Sequence, residues 1–181
     1  ADSLSIVSGF HIAEHLSLDD LQTLIKEALR TLKPAGLLIL EAPNTENLVV
    51  GTSSFYLDPT HQRPLPSALI SFLAGYMGFH RVKVLGLQEA ASLKEKTVPV
   101  SLFAVLSGVS PDYAVIAQKN AQNEILRSFD AAFDQDYGLT LEELSNRYQS
   151  QINELTRKAE LSHQRLEKIL KPFNWLKKYF K

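Results

Sequence analysis

Three of the five histidines, at positions 11, 15 and 61, are the side chains best suited to move protons near neutral pH. His11, Glu14 and His15 sit almost side by side, and His61 lies in a polar run with Tyr56, Asp58 and Arg63. An imidazole held by a carboxylate can take a proton from a hydroxyl, and a guanidinium can grip a phosphate or carboxylate. Each group also has a purely structural use. His11 can hydrogen-bond a turn, Glu14 and His15 can orient that turn, and Asn44 can cap a strand end. Asp58-Pro59-Thr60-His61 can be a turn pinned by its own hydrogen bonds. His11-x-x-Glu14-His15 also matches an H-x-x-E-H zinc-peptidase signature. That chemistry needs both histidines on one helical face and a further ligand, whereas here the motif falls between a strand and a helix. No metal site is therefore expected.

Alternating strands and helices must position these groups. Leu4 to Phe10 is short, apolar and partly β-branched, as a buried parallel strand is. Ser17 followed by Asp20 opens a helix whose apolar positions run from Leu21 to Leu32, ending at Lys33-Pro34. Gly36 turns the chain into a second strand, Leu37 to Ala42, stopped by Pro43-Asn44. Thr45 to Pro66 reads as a long functional loop. Ser67 to Gly78 is a helix, and Arg81 to Leu87 and Asp112 to Gln118 are strands. Gln88 to Ser110 fits no single element.

From Ala121 the pattern is helical, broken at Tyr137-Gly138 and recapped by Thr140 with Glu143. Leu141, Tyr148, Ile152, Leu155, Ala159, Leu166 and Ile169 follow a coiled-coil spacing, but Ser145 and Ser162 interrupt the seam. Pro172 ends this run, leaving aromatic and lysine residues to Lys181.

Composition narrows the functional classes. With 45% hydrophobic residues in 181, the chain can bury a sizeable core. A formal charge of −1 provides no field for nucleic acid. The lack of cysteine excludes disulfides and thiolate chemistry and fits a reducing, cytoplasmic setting. No apolar run is long enough to span a membrane. Residues 171–181 could still touch the inner face of one, or a partner helix, through Trp175, Tyr179 and Phe180 among lysines.

An apolar strand ending in a polar cluster places the ligand beyond the carboxyl ends of a parallel sheet. Phe10-His11-Ile12-Ala13-Glu14-His15-Leu16 resembles the end of the fourth strand of class I S-adenosylmethionine-dependent methyltransferases. The stretch Arg30 to Gly36 is similar to their R-x-L-K-P-G-G passage, with Ala35 in place of the first glycine. Pro43 to Leu48 and Phe55 to Pro66 resemble a bacterial subgroup associated with cell-surface polysaccharide methylation.

The resemblance implies an α/β fold over residues 1–119, the C-terminal half of a Rossmann-like class I methyltransferase sheet with its last strand antiparallel. Residues 120–181 follow as an α-helical tail. It implies S-adenosylmethionine as cofactor, with Gly9, Phe10 and His11 on the cofactor side and His11 and His61 as catalytic residues. Glu14, His15, Asn44, Tyr56, Asp58 and Arg63 would bind the acceptor, a glycan hydroxyl or phosphate.

The family's Gly-rich cofactor loop and acidic strand end have no counterpart here, and no G-x-G occurs. The chain is thus expected to begin inside a fold, leaving Leu4 to Phe10 as an open apolar edge. A homodimer, or a fused or partner glycosyltransferase, is the expected use of the tail. The competing expectation is a non-catalytic assembly module in which the tail is the working surface.

Overall fold

The computed structural model describes residues 1–171, so the expectations placed on Pro172 to Lys181 lie outside the described residues. Strands β1 (Leu4–Phe10), β2 (Leu32–Pro43), β3 (Arg81–Leu87) and β4 (Asp112–Gln118) form one sheet in the order β1-β2-β4-β3. β1 and β2 are parallel, while β4 runs antiparallel between β2 and β3. The last strand is therefore the reversed one, as the family resemblance implies.

Helices α1 (Leu18–Thr31) and α3 (Ser67–Tyr76) cover one face of the sheet. A one-turn 3-10 helix, Ala13–His15, precedes α1, and α2 (Leu48–Thr52) and a second 3-10 helix, Ser54–Leu57, come between β2 and α3. Ser17 caps α1, its Oγ accepting the Asp20 N–H at 3.1 Å. Leu21, Ile25 and Ala28 of α1 and Ile70 and Leu73 of α3 pack on Leu38, Leu40 and Val115, forming the main core. Gly78, with φ +108, ends the α3 turn in the left-handed conformation glycine favours.

The segment without a clear pattern contains α4 (Ala91–Lys94) and α5 (Leu102–Ser107), the latter capped by Ser101. After β4 come α6 (Asn123–Arg127), α7 (Asp130–Asp134) and the 30-residue α8 (Leu141–Leu170). Arg81 on β3 holds α6 and α7. Its guanidinium bonds Asp130 and the Leu126 carbonyl, each at 2.7 Å, and lies 4.1 Å from the Phe133 ring.

Leu144, fully buried, joins Val100, Val105, Val109 and Leu139 in a second core. Arg147 donates to the Leu93, Glu95 and Val98 carbonyls, so the first turns of α8 dock firmly. Farther along, Leu155, Leu166 and Ile169 are exposed. Among the described residues no helix is long and apolar enough to cross a membrane. β1 pairs only with β2 among them, and Leu4, Ile6 and Phe10 are exposed, the last by 61%.

Two expectations need correction. The loop from Thr45 to Pro66 contains two short helical segments, Leu48–Thr52 and Ser54–Leu57, the first capped by Asn47, which accepts the Val50 N–H. The helix ends at Thr31, before Lys33-Pro34, and β2 starts at once. Its register against β1 jumps between Leu32 and Leu37, since Ala35 adopts φ +62 and bulges the strand.

Left-handed backbone costs alanine about 1–2 kcal/mol. A glycine there would relieve this, but would add about 0.4–1 kcal/mol of unfolded-state entropy and lose a buried methyl worth about 0.8 kcal/mol. The near cancellation explains why alanine is tolerated. Gly36 has no such latitude, because a Cβ would stand 2.9 Å from the Lys33 carbonyl oxygen. Chemical denaturation should therefore show Ala35→Gly within about 1 kcal/mol of the parent and Gly36→Ala destabilised by about 1–3 kcal/mol.

Candidate functional site

The carboxyl ends of β1 and β2 and the start of antiparallel β4 share one rim. Gly9 and Phe10 end β1, and His11 follows them. Gly9 leaves little room for a side chain, since a Cβ would meet the Ile12 side chain at 2.8 Å and that side chain would have to move. His11 has φ +49, a strained backbone for this residue type, and projects its ring among carboxylates. Its Nδ1 is 3.3 Å from Glu14 Oε1, and its Nε2 is 3.4 Å from Glu41 and 3.9 Å from Asp112.

Glu14 is fully buried, and neither of its carboxylate oxygens has a hydrogen-bond partner among the described residues. Its Oε1 also lies 4.0 Å from His61 Nε2. One buried carboxylate thus stands between two imidazoles.

The 58–62 loop is sewn onto the Ala13–His15 turn. Gln62 N–H donates to the Glu14 carbonyl at 2.9 Å, and its side-chain amide donates to the His15 carbonyl at 2.8 Å. Asp58 accepts from the Thr60 N–H at 2.8 Å and from its hydroxyl at 2.6 Å. These bonds hold the Asp58 carboxyl below the ordinary aspartate range. The Asp-Pro-Thr-His run is consequently both a pinned turn and part of the rim.

The tautomers follow from the partners. The Phe55 carbonyl can only accept, so His61 Nδ1–H donates to it at 2.6 Å and the neutral ring keeps its lone pair on Nε2. The Thr60 hydroxyl proton goes to Asp58, so Oγ1 accepts from His15 Nδ1–H at 3.0 Å. The two rings meet edge to face, with centroids 4.8 Å apart.

The remaining candidates divide. Tyr56 is exposed by 63% and leans edge-on against Phe55, which itself packs on the His61 ring. Arg63 encloses Nε and Nη2 with no hydrogen-bond partner among the described residues. Asn44 is not drawn into the histidine cluster by any hydrogen bond. Its amide donates to the Ser110 carbonyl at 2.8 Å and its Oδ1 accepts the Glu46 N–H, tying β2 to the entry of β4. The H-x-x-E-H residues lie on a strand end and a single 3-10 turn, so His11 and His15 do not share an α-helical face.

Sequence reasoning missed Glu41 and Asp112. A charge inside the apolar run Leu37 to Ala42 was the available signal for Glu41. Asp112 had none, because only the reversed direction of β4 brings its first residue to this rim. Burial pushes the Asp112 carboxyl above its ordinary range; His11 opposes this, and Glu41 and Glu14 reinforce it. Burial, with Glu14 close by, likewise raises the Tyr113 phenol, whose hydroxyl donates to the Leu65 carbonyl.

No protein-family model matches the chain. A probable S-adenosylmethionine-dependent methyltransferase of Mycolicibacterium smegmatis is 31% identical over 93 residues, covering 51% of this chain and 35% of that protein. The crystal structure of a SAM dependent methyltransferase from Archaeoglobus fulgidus matches with a TM-score of 0.55 at 27% identity, over 65% of this chain and 60% of that one. The chain therefore spans less than two thirds of the length of either relative. Its fold is that of the class I S-adenosylmethionine-dependent methyltransferases.

The raised Asp112 carboxyl makes a signed prediction. The folded state binds this proton more readily than the unfolded chain, so its contribution favours folding at low pH and is lost as pH rises through the folded-state value. Asp112→Asn, melted in chelating buffer, should exceed the parent in Tm near neutral pH. That advantage should shrink on acidification through the carboxylate range.

Proposed function

We propose that this chain is the acceptor-side portion of an S-adenosylmethionine-dependent methyltransferase acting on a hydroxyl of a polar acceptor, most simply a glycan. The observation carrying the proposal is the fixed His61 tautomer, which turns a free Nε2 toward a buried carboxylate on the ligand rim of a methyltransferase fold.

The cofactor, when bound, supplies an electrophilic methyl group for an in-line displacement. Gly9, Phe10 and His11 would border it along the open side of β1, where the exposed Leu4, Ile6 and Phe10 offer apolar surface for the rest of the sheet. The Gly-rich turn would come from that other part. His61 Nε2 takes the acceptor proton, and Glu14 stabilises the resulting imidazolium. His15, Asp58 and Thr60 hold the loop in place, and exposed Tyr56 offers a face for a sugar ring.

Charge favours a hydroxyl over a phosphate. Glu14, Glu41, Asp58 and Asp112 line the rim and would repel an anion, whereas Arg63 keeps Nε and Nη2 enclosed. A role in cell-surface polysaccharide synthesis rests on the Phe55 to Pro66 resemblance. The exposed stripe of α8 is the surface we assign to a fused or partner glycosyltransferase.

The full-length protein should bind S-adenosylmethionine in calorimetry and methylate a glycan hydroxyl. His61→Ala should lower kcat by about 100- to 10,000-fold, while His163→Ala on the exposed part of α8 should leave it unchanged. Absence of cofactor binding by the full-length protein would sink the proposal and favour the assembly-module alternative.

A further inference from the structure

The rim holds more negative charge than proton transfer requires. Three carboxylates, Glu14, Glu41 and Asp112, lie within 3.9 Å of the His11 ring nitrogens. Even with that ring protonated, the group keeps a formal charge of −2, from three negative groups and one positive. A buried carboxylate without hydrogen bonds is a costly arrangement unless it takes up a proton or a cation compensates it. Glu14 is that carboxylate, and it faces the His11 Nδ1.

We propose that His11 Nε2, Glu41 and Asp112 form a divalent-cation site of the magnesium or manganese class, with Glu14 behind His11 as its orienting partner. The three donor atoms lie within 4.8 Å of one another. Bonds of the length these cations form put neighbouring ligand atoms about 3 Å apart. The observed 3.4 and 3.9 Å edges from His11 need less than an ångström of closure.

Glu41 and Asp112 stand on β2 and β4 and His11 directly follows β1, its N–H bonded to the Glu41 carbonyl, so the register of three adjacent strands presets the triangle. Two carboxylates with one imidazole suit a hard cation better than zinc, which prefers sulfur and nitrogen. A metal-bound histidine characteristically gives its other ring N–H to a carboxylate, and Glu14 Oε1, 3.3 Å from His11 Nδ1, is the carboxylate within reach of that role. Glu41 and Asp112 each remain 15% exposed and His11 46%, which leaves the outer coordination positions open to an acceptor oxygen.

The proposed role rests on the methyl-transfer reading. A hydroxyl coordinated there would become more acidic, its proton would pass to His61 Nε2, and the oxygen would attack the methyl carbon as the methyl–sulfur bond breaks and the cofactor leaves as its thioether. Binding of the ion does not depend on that reading. The H-x-x-E-H pattern does not describe this site either, since two of the ligands come from β2 and β4.

The test is titration of EDTA-stripped full-length protein with Mn2+, read by the paramagnetic resonance of the free ion and by calorimetry, with Mg2+ as competitor. One Mn2+ per chain, displaced by Mg2+, is expected. Glu41→Gln and Asp112→Asn should each weaken it at least tenfold, while retaining a cooperative thermal transition. His163→Ala should bind as the parent does. Lack of stoichiometric binding, or affinities unaltered by both rim substitutions, would overturn the proposal. Ion binding without any methyl transfer by the full-length protein would leave the site standing and reject the catalytic role alone.

Discussion

Because β2 is hydrogen-bonded along both edges, parallel to β1 and antiparallel to β4, one backbone sets the position of every strand-borne group on the rim. Phe10 is in register with Glu41, which is in register with Ala114, and two residues farther along Pro43 is paired with Asp112. A slip of one residue would turn Glu41 toward Leu40's place in the core and bring an apolar side chain to the rim. The core forbids that slip, since Leu38, Leu40 and Ala42 alternate on the face covered by α1 and α3. Packing on one face of β2 thereby fixes chemistry on the other.

The second constraint is the stitching of the Asp58 to Gln62 turn to the Ala13–His15 turn. These segments are far apart in sequence, yet two Gln62 bonds and the Thr60 hydroxyl link them. Each hydrogen bond contributes about 1 kcal/mol net, and together they order a loop that would otherwise carry conformational freedom. His61 gains a single tautomer from this order, through the Phe55 carbonyl. The apolar contact between Phe55 and the His61 ring, with centroids 4.4 Å apart, completes its support.

Local patterns made much of this legible. The Ser17 and Thr140 caps, the Gly78 helix end and the four strands follow from rules that act within a few residues, and they are present. The clustering of His11, Glu14, His15 and His61 also followed from the polar runs at two strand-helix junctions. The failures were of two kinds. Short helices between residues 48 and 107 are too brief for periodicity to register, so only caps such as Asn47 and Ser101 marked them. Glu41 and Asp112 meet through strand order and direction, properties of the whole sheet that no local window contains.

Ala35, which stands where the resembling family has a glycine, is a departure whose energetic contributions nearly cancel. Its φ of +62 is a real cost, offset by the methyl it buries and the chain entropy it spares. Glu14 has no comparable offset among its neighbours. Tyr113, its close neighbour, gives its hydroxyl to the Leu65 carbonyl, and the two histidines face Glu14 without a well-formed hydrogen bond. A fold that needed only stability would place leucine or glutamine there. Keeping a bare carboxylate at the junction of β1, β2 and the His61 loop makes sense when something positive, an imidazolium formed in the reaction or a bound cation, arrives to meet it.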